Sequence, residues 1–233
     1  MHPILGGLTA LLSVRSSVAG LEVSPCRYGE TTCYTVASQA LLSNEWQSNS
    51  YNFLATQVWP SSRMAASMIA KHWPTPCRSV CEFGCGPGLP SLTAAVTASQ
   101  ERKVIATDID ELALKLVRAS AEDQGLSIET QRVDLLNTET TPVPKADLYL
   151  LSDVFESNRI AQSTANVVHK LLTESRWVWV FAQSDRSQRQ IFLEELQRLQ
   201  RDQRQQHTLE WTDEFDPKQR LWLCNVEETD VLY

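Results

Sequence analysis

The sequence lacks the close cysteine pairs that bind structural zinc. It has six cysteines in 233 residues, and none of them follows a paired metal-site spacing. Cys77, Cys81 and Cys85 recur every four residues, but they span a predicted strand and a loop, where that period has no structural meaning. We therefore expect no metal site, and we expect reduced thiols that are buried as small hydrophobic side chains.

Long apolar runs and an excess of positive charge are also missing. No run approaches the roughly 20 residues that a transmembrane helix needs. The formal net charge is −7, which gives no general attraction to nucleic-acid phosphates and mildly favours basic or neutral partners. We expect neither a membrane nor a nucleic acid as partner. The length and the hydrophobic content of 42% predict one globular domain with a sizeable core.

The first 21 residues contain no Asp or Glu, a single Arg (Arg15) and an apolar run over residues 4–12. This composition is typical of an organelle transit peptide or a weak secretory signal, and it favours the mitochondrion over secretion. The alternative is a disordered or strand-forming N-terminus. We expect a cytoplasmic or mitochondrial protein in which residues 22–58 form an extension packed on the main domain, residues 59–233.

Helix and strand signals alternate from Pro60 onwards. Helices are predicted over 61–73, 89–98, 111–124, 159–173 and 187–205, and strands over 80–83, 104–107, 128–133, 147–151, 177–182, 208–213 and 220–226. Alternation at this spacing predicts an α/β fold with a mostly parallel sheet and helices on both faces. Because no helix separates the last two strands, we expect them to form an antiparallel hairpin at one edge.

Three of the eight glycines lie in one turn, Gly84-Cys85-Gly86-Pro87-Gly88, directly after the first of these strands. Glycine lets the backbone turn tightly and approach a ligand closely, because it has no Cβ. Asp108 ends the next strand, 20 residues after Gly88. A carboxylate in that position can accept hydrogen bonds from both hydroxyls of a ribose. The turn and Asp108 together predict a site for a nucleoside cofactor.

The spacing of the turn distinguishes between cofactors. The dinucleotide pattern would place its third glycine at position 89, where this chain has Leu89. Glu82 precedes the turn, and its carboxylate would repel a pyrophosphate but suit an ammonium or sulfonium group. An NAD-dependent dehydrogenase remains the alternative. The motif Glu82-x-Gly-x-Gly-x-Gly together with Asp108 resembles the first two motifs of class I methyltransferases that use S-adenosyl-L-methionine (SAM).

Two more acidic side chains follow predicted strands. Asp134 could accept a hydrogen bond from the adenine amine, with Leu135 against the ring; the alternative is a turn aspartate. The fourth strand ends in Ser152-Asp153-Val154-Phe155-Glu156. Ligands of open α/β sheets lie beyond the carboxyl ends of the strands. We therefore expect Asp153 and Phe155 to meet a substrate amine, which the carboxylate orients and the ring stabilises as a cation. The alternative is that Asp153 caps the helix 159–173 or the turn before it.

A narrower resemblance covers roughly residues 58–195. Three features resemble the seven-β-strand protein lysine methyltransferases. They are Trp59-Pro60 just before the first helix, the glycine motif, and an Asp-x-x-Phe/Tyr-type motif after the fourth strand. The segment Ser184-Asp185-Arg186-x-x-Arg189-x-x-Phe192 is similar to the Asp-Pro-Gly-Arg segment of the branch that methylates the electron-transfer-flavoprotein β-subunit. This chain lacks the Pro-Gly, and it has Phe155 where the group usually has Tyr.

The resemblance implies a Rossmann-like, doubly wound sheet of seven strands in the order 3-2-1-4-5-7-6. It implies SAM-dependent methylation of nitrogen, with a protein lysine as acceptor; a small-molecule amine and a non-catalytic SAM-binding module are the alternatives. Asp153 and Phe155 would act on the substrate. The cofactor residues would be Trp59, Glu82, Gly84, Cys85, Gly86, Gly88, Asp108, Asp134, Leu135 and Ser152.

Overall fold

The computed structural model describes residues 15–38, 40–42, 52–74, 77–97, 102–174, 176–201 and 209–227. Two short 3-10 helices, Ala40–Leu42 and Phe53–Thr56, precede the alternating part of the chain. The strands are β1 (Ser17–Val18), β2 (Leu21–Tyr28), β3 (Thr31–Val36), β4 (Ser79–Phe83), β5 (Lys103–Asp108), β6 (Glu129–Arg132), β7 (Leu148–Ser152), β8 (Trp177–Gln183) and β9 (Leu221–Val226). The helices are α1 (Pro60–Lys71), α2 (Leu89–Thr97), α3 (Glu111–Asp123), α4 (Asn158–Thr173) and α5 (Gln188–Arg201).

A six-stranded sheet in the order β6-β5-β4-β7-β8-β9 forms the centre of the fold. Every neighbouring pair in it is parallel. The strand order reverses between β4 and β7, which leaves a crevice beyond their carboxyl ends, where ligands of such sheets bind. The predicted α/β class is therefore confirmed, and the predicted helices agree with α1 to α5 to within a few residues at the ends that the structure describes.

Side chains alternate between two cores on opposite faces of the sheet. Phe83, Tyr149 and Val180 point to the face covered by α4 and α5. Their sequence neighbours, such as Leu150 and Trp179, point to the face covered by α1 and α2, and α3 packs on that same side, against β5. Since parallel strands are buried on both faces, they appear in the sequence as nearly continuous apolar runs.

The prediction of an antiparallel edge hairpin is wrong. β9 lies next to β8 and parallel to it, and Thr212 forms an isolated parallel bridge to Cys224 on the outer side of β9. The connection between Thr212 and β9 carries Phe215, whose ring lies 5.2 Å from Trp179 and 4.9 Å from Trp222. The chain therefore returns over the face of the sheet instead of turning back in a hairpin. Six of the seven predicted strands are present among the described residues. In the range of the seventh, predicted over 208–213, Thr212 alone pairs with the sheet, through its bridge to Cys224.

The N-terminal part forms a second, antiparallel sheet in the order β1-β2-β3. Tyr34 of β3 packs against Leu112 and Leu116 of α3, and its backbone N–H donates to Ser120 Oγ at 2.9 Å. Residues 1–14 of the predicted targeting segment lie outside the described residues. No helix in the described part of the chain is long and apolar enough to cross a membrane.

Candidate cofactor and substrate site

A cavity of ≈ 280 Å³ opens at the carboxyl ends of β4, β5 and β7. Its walls come from the loops after β4, β5, β6, β7 and β8 and from residues 52–62, which lead into α1. Ten predicted site residues line it: Trp59, Gly84, Cys85, Gly86, Asp108, Asp134, Leu135, Ser152, Asp153 and Phe155. The structure therefore brings most of the predicted residues together in one place, at the crevice where the strand order reverses.

The glycine turn brings backbone to the wall of the cavity. Gly86 has φ +50°, in the left-handed region that favours glycine. Its N–H donates to Asp108 Oδ2 at 2.9 Å, and a Cβ on Gly86 would lie 3.5 Å from the carbonyl oxygen of Ala55. The turn is therefore fixed from one side by Asp108 and closely approached from the other by the N-terminal segment.

Asp108 is buried but retains the capacity to bind a ligand. Oδ1 accepts from the N–H of Asp110 and Oδ2 from that of Gly86. Burial raises the pKa of Asp108 to about 6, and the two amide hydrogen bonds oppose that rise. Each carboxylate oxygen has two lone pairs, so both oxygens can still accept from ribose hydroxyls. Asp108 lies at the cavity, and its binding of a ribose stays a prediction.

The segment after β6 supplies one polar and several apolar groups to the cavity. Asp134 Oδ1 accepts from the N–H of Leu136 at 2.9 Å, so this residue does stabilise a turn, although it also lines the cavity. Leu135, Val133 and Ile109 add apolar surface that suits a purine ring. Sequence reasoning missed Ile109; its position directly after Asp108 is the signal that could have identified it.

Two predicted cofactor residues, Glu82 and Gly88, lie behind the cavity wall. Glu82 is 1% exposed, and its Oε2 accepts from the N–H and the hydroxyl of Ser91, at 3.0 and 2.5 Å. Burial raises its pKa to about 8. A Cβ on Gly88 would lie 2.5 Å from Val117 Cγ2. Glu82 therefore holds the first turn of α2 and Gly88 lets α3 pack closely, whereas we had expected both at the ligand.

Asp153 follows β7 in a strained conformation, with φ +58° and its N–H donating to the carbonyl oxygen of Phe181. Its side chain is 2% exposed. Oδ2 accepts from Arg186 Nε and Nη2, both at 3.3 Å, while Oδ1 has no hydrogen-bond partner in the described structure. The helix-cap alternative is wrong, because the N-cap of α4 is Ser157.

Phe155 contributes to the cavity wall, but most of its ring belongs to the core. It is 3% exposed and packs against Phe192 and Trp211, with ring centroids 5.1 and 6.3 Å away. Counted from Asp153, an Asp-x-x-aromatic spacing leads to Glu156, not to Phe155. Glu156 is exposed at the cavity and accepts from Asn52 Nδ2 at 3.5 Å. The Asp-x-x-aromatic spacing of the resemblance is therefore absent after Asp153, because Phe155 follows it by only two residues.

Trp59 and Arg186 close one side of the cavity. The indole Nε1 of Trp59 donates to the carbonyl oxygen of Leu54 at 2.9 Å. The guanidinium of Arg186 lies 5.4 Å from the centre of the Trp59 ring, within the range of a cation–π contact. Sequence reasoning noted Arg186 only as part of a resemblance and missed the segment around Leu54, because neither follows a spacing that predicts a ligand.

Comparison with known proteins decides the family. The sequence model described as "Lysine methyltransferase" matches residues 39–199, more than half of the chain. The chain belongs to this lysine methyltransferase family. No curated protein sequence matches it significantly.

One of the solved structures compared here has a similar fold. The 16S rRNA N2 G1207 methyltransferase RsmC of Thermus thermophilus, in complex with AdoMet and guanosine, is 14% identical with a TM-score of 0.53, over 77% of this chain and 46% of RsmC. TrmN of T. thermophilus is 24% identical over 47% of this chain and 34% of its own, with a TM-score of 0.41. The SAH-bound Podospora anserina methyltransferase PaMTH1 is 14% identical over 56% and 54%, with a TM-score of 0.40. This lysine methyltransferase family member thus spans about half or less of each of these chains.

The cavity fits the cofactor of a SAM-dependent methyltransferase. The glycine turn brings backbone close to the ligand, Asp108 can bind the ribose, and the apolar residues after β5 and β6 can cover the adenine. Ser152 Oγ and Asp153 Oδ1 are buried polar atoms at the cavity without partners among the described residues. Such groups are expected to find partners in native structures, so they are suited to a polar ligand. The described residues contain no cluster of three potential metal ligands.

Proposed function

We propose that this SAM-dependent methyltransferase methylates the side-chain amine of lysine in a protein. The observation that carries the proposal is the buried Asp153, a residue of the cavity lining whose Oδ1 has no hydrogen-bond partner among the described residues. It is the kind of acceptor that an N–H of an incoming amine would satisfy. The cavity also carries Asp108, Asp134 and Glu156, and this acidic lining supports an acceptor that carries a positive charge before it reacts.

The chemistry requires alignment more than acid–base catalysis. SAM supplies an electrophilic methyl group bonded to a positively charged sulfur. The lone pair of the acceptor nitrogen forms the new N–C bond while the C–S bond breaks and its electrons stay on sulfur. Asp153 would orient the acceptor N–H, and Trp59 would exclude water from one side of the cavity. Orientation effects of this kind can supply roughly 7–11 kcal/mol of the barrier.

Proton loss must precede the transfer, because an ammonium has no lone pair. The ordinary pKa of lysine is about 10.4, and removal from water beside a positive sulfonium would lower it. The proton would leave to solvent. Asp153, already paired with Arg186, is suited to positioning the amine and not to acting as the base.

Labelling tests the acceptor class. The purified protein is incubated with methyl-labelled SAM and a cell lysate, and the label is followed into proteins and into the small-molecule fraction. The proposal expects labelled protein bands whose hydrolysates contain methyllysine. Label confined to small molecules would identify a small-amine methyltransferase, and SAM binding with no transfer would identify a non-catalytic module. Either result would overturn the proposal.

Asp153→Asn provides the matched test of the site. It keeps the shape of the side chain but removes its charge. We expect SAM affinity to change little and labelling of protein to fall by orders of magnitude, because a misplaced amine loses the alignment on which the reaction depends. Glu156→Gln is the control for a general loss of negative charge. Equal and small losses in both variants would remove Asp153 from the site.

A further inference from the structure

Arg186 and Asp153 form an asymmetric pair at the cavity. Two guanidinium N–H groups donate to one carboxylate oxygen, Oδ2, at 3.3 Å each, and Oδ1 has no hydrogen-bond partner within 3.5 Å among the described residues. Arg186 and the backbone of Gln183 oppose the rise that burial causes in the pKa of Asp153. Asp153 is almost fully buried, whereas the Arg186 side chain is 36% exposed. Arg186 therefore reaches the carboxylate from the solvent side, across the face of Trp59.

Arg186 is the cation closest to Asp153 among the charged groups that face this carboxylate. Arg189 of α5 is directed elsewhere, because it donates to Asn225 Oδ1 at 2.7 Å and its guanidinium lies 4.4 Å from the Trp211 ring. Asp185 adds a repulsive negative charge. Asp108 and Asp134 line the same cavity from other loops, and Glu156 lines it from the loop that carries Asp153. Arg186 is thus the main compensation for a buried negative charge in an acidic cavity.

We propose that Arg186 is a positioning and specificity-determining residue that neutralises Asp153, so that the acceptor nitrogen binds to Oδ1 as a neutral amine. The inference rests on the proposed function, since it assigns the acceptor nitrogen to Asp153. An uncompensated carboxylate would stabilise the ammonium form of the acceptor, which cannot react. A carboxylate whose charge is balanced by Arg186 still accepts a hydrogen bond, but it holds the proton of the acceptor less strongly.

The first test needs no substrate. The carboxyl carbon of Asp153 is followed by NMR against pH in protein labelled with ¹³C-aspartate, and Asp153→Asn assigns the signal. We expect Arg186→Gln to raise the pKa of Asp153, because burial then acts without its main counter-charge. Arg186→Lys should restore most of the wild-type titration, and the neighbouring control Arg189→Gln, whose charge also acts on Asp153 but without a hydrogen bond to it, should alter the titration less than Arg186→Gln does. Identical titrations in wild type and Arg186→Gln would overturn the inference.

The second test uses sinefungin, a SAM analogue with a primary amine in place of the sulfonium methyl, against S-adenosylhomocysteine, which has neither group. At pH 8 we expect Arg186→Gln to bind sinefungin more tightly relative to S-adenosylhomocysteine, because the uncompensated Asp153 would favour the amine. The ratio of the two affinities should rise by about tenfold, which is the lower end of the effect of a hydrogen bond to a charged group. Arg186→Lys should leave the ratio near the wild-type value. Asp153→Asn combined with Arg186→Gln should abolish the gain, because the two residues act as one unit.

The two tests separate the inference from the proposed function. If the pKa of Asp153 is the same in wild type and Arg186→Gln, Arg186 does not have the proposed role. Lysine methylation is not affected by that result, because the labelling of lysate tests it separately. A raised pKa with an unchanged affinity ratio places the acceptor away from Asp153 and overturns the use of this residue for substrate in both proposals. A raised pKa with a raised ratio supports both.

Discussion

Three buried carboxyl groups surround the glycine turn, and each is held by a different kind of partner. Glu82 accepts from an amide and a hydroxyl of Ser91, Asp108 from two amides, and Asp153 from a guanidinium. Burial raises the pKa of all three. Asp108 and Asp153 lie at the cavity and can act on a ligand, whereas Glu82 faces α2, so its role in the free protein is structural.

Replacement of Asp108 should weaken cofactor binding. We expect Asp108→Ala to cost about 1.5–3 kcal/mol of SAM binding, the scale of hydrogen bonds to a charged group, or roughly 10- to 150-fold in affinity. Because its pKa is raised to about 6, wild-type affinity should also fall as the pH drops below that value. Calorimetry measures both effects.

Asp110→Ala is the control for Asp108. Asp110 caps α3 through the N–H of Leu112, so its loss should cost about 1 kcal/mol of stability and leave SAM affinity near normal. An unchanged dissociation constant in folded Asp108→Ala would contradict the assignment of the ribose to this residue.

Glu82→Gln should stabilise the free protein at alkaline pH. The pKa of Glu82 is about 8 in the folded chain against an ordinary value of 4.5, so the folded state binds the proton more tightly. Stability from this group is therefore complete below about pH 4.5 and is lost as the pH rises to about 8. The neutral amide avoids that loss. Melting temperatures should be similar for the two proteins at pH 5 and higher for the variant at pH 8.5; a lower value for the variant at pH 8.5 would contradict the pKa shift.

At the scale of elements, the sequence predicted what local periodicity controls. α1 to α5 and the parallel strands were predictable, because apolar runs with regular spacing specify them. Three features depend on distant contacts and were not. The parallel β9 comes with the packing of Phe215 on Trp179 and Trp222. The contact of Arg186 with Asp153 joins segments after different strands. One carboxylate oxygen of Glu82 accepts from Ser91 of α2, while Oε1 has no partner among the described residues.

The close packing of the glycine turn on α3 gives a prediction at this scale. Gly88 has φ +77° and Gly125 has φ +64°, so alanine is strained at both positions. A Cβ at Gly88 would lie 2.5 Å from Val117 Cγ2. A Cβ at Gly125 would have no non-adjacent described atom within 4 Å. We expect Gly88→Ala to lower the melting temperature clearly more than Gly125→Ala does. The difference between the two melting temperatures measures the clash with Val117. Equal decreases in both variants would show that backbone strain alone accounts for the loss and would contradict the clash.

At the scale of the whole molecule, the ligand-facing groups come from loops on one edge of the central sheet. The loops after β4, β5, β6 and β7 supply the cofactor side, and the loop after β8 supplies Arg186. The segment 52–59 closes the cavity from the N-terminal part of the chain. A ligand in the cavity therefore contacts the N-terminal segment and several loops of the sheet at once, and it should stabilise them together.

Binding of SAM should accordingly raise the melting temperature of the entire domain, and NAD should not. A ligand at 100 times its dissociation constant adds about 2.7 kcal/mol to stability, and for a chain of this size each kcal/mol shifts the midpoint by roughly 2–4 °C. We expect a shift of about 5–10 °C with SAM or S-adenosylhomocysteine, and a much smaller one in Asp108→Ala at the same concentration. Thermal unfolding followed by circular dichroism measures it in one transition. A shift with NAD of the same size, or none with SAM, would contradict the cofactor assignment, because the glycine spacing and Asp108 would then serve a different nucleotide.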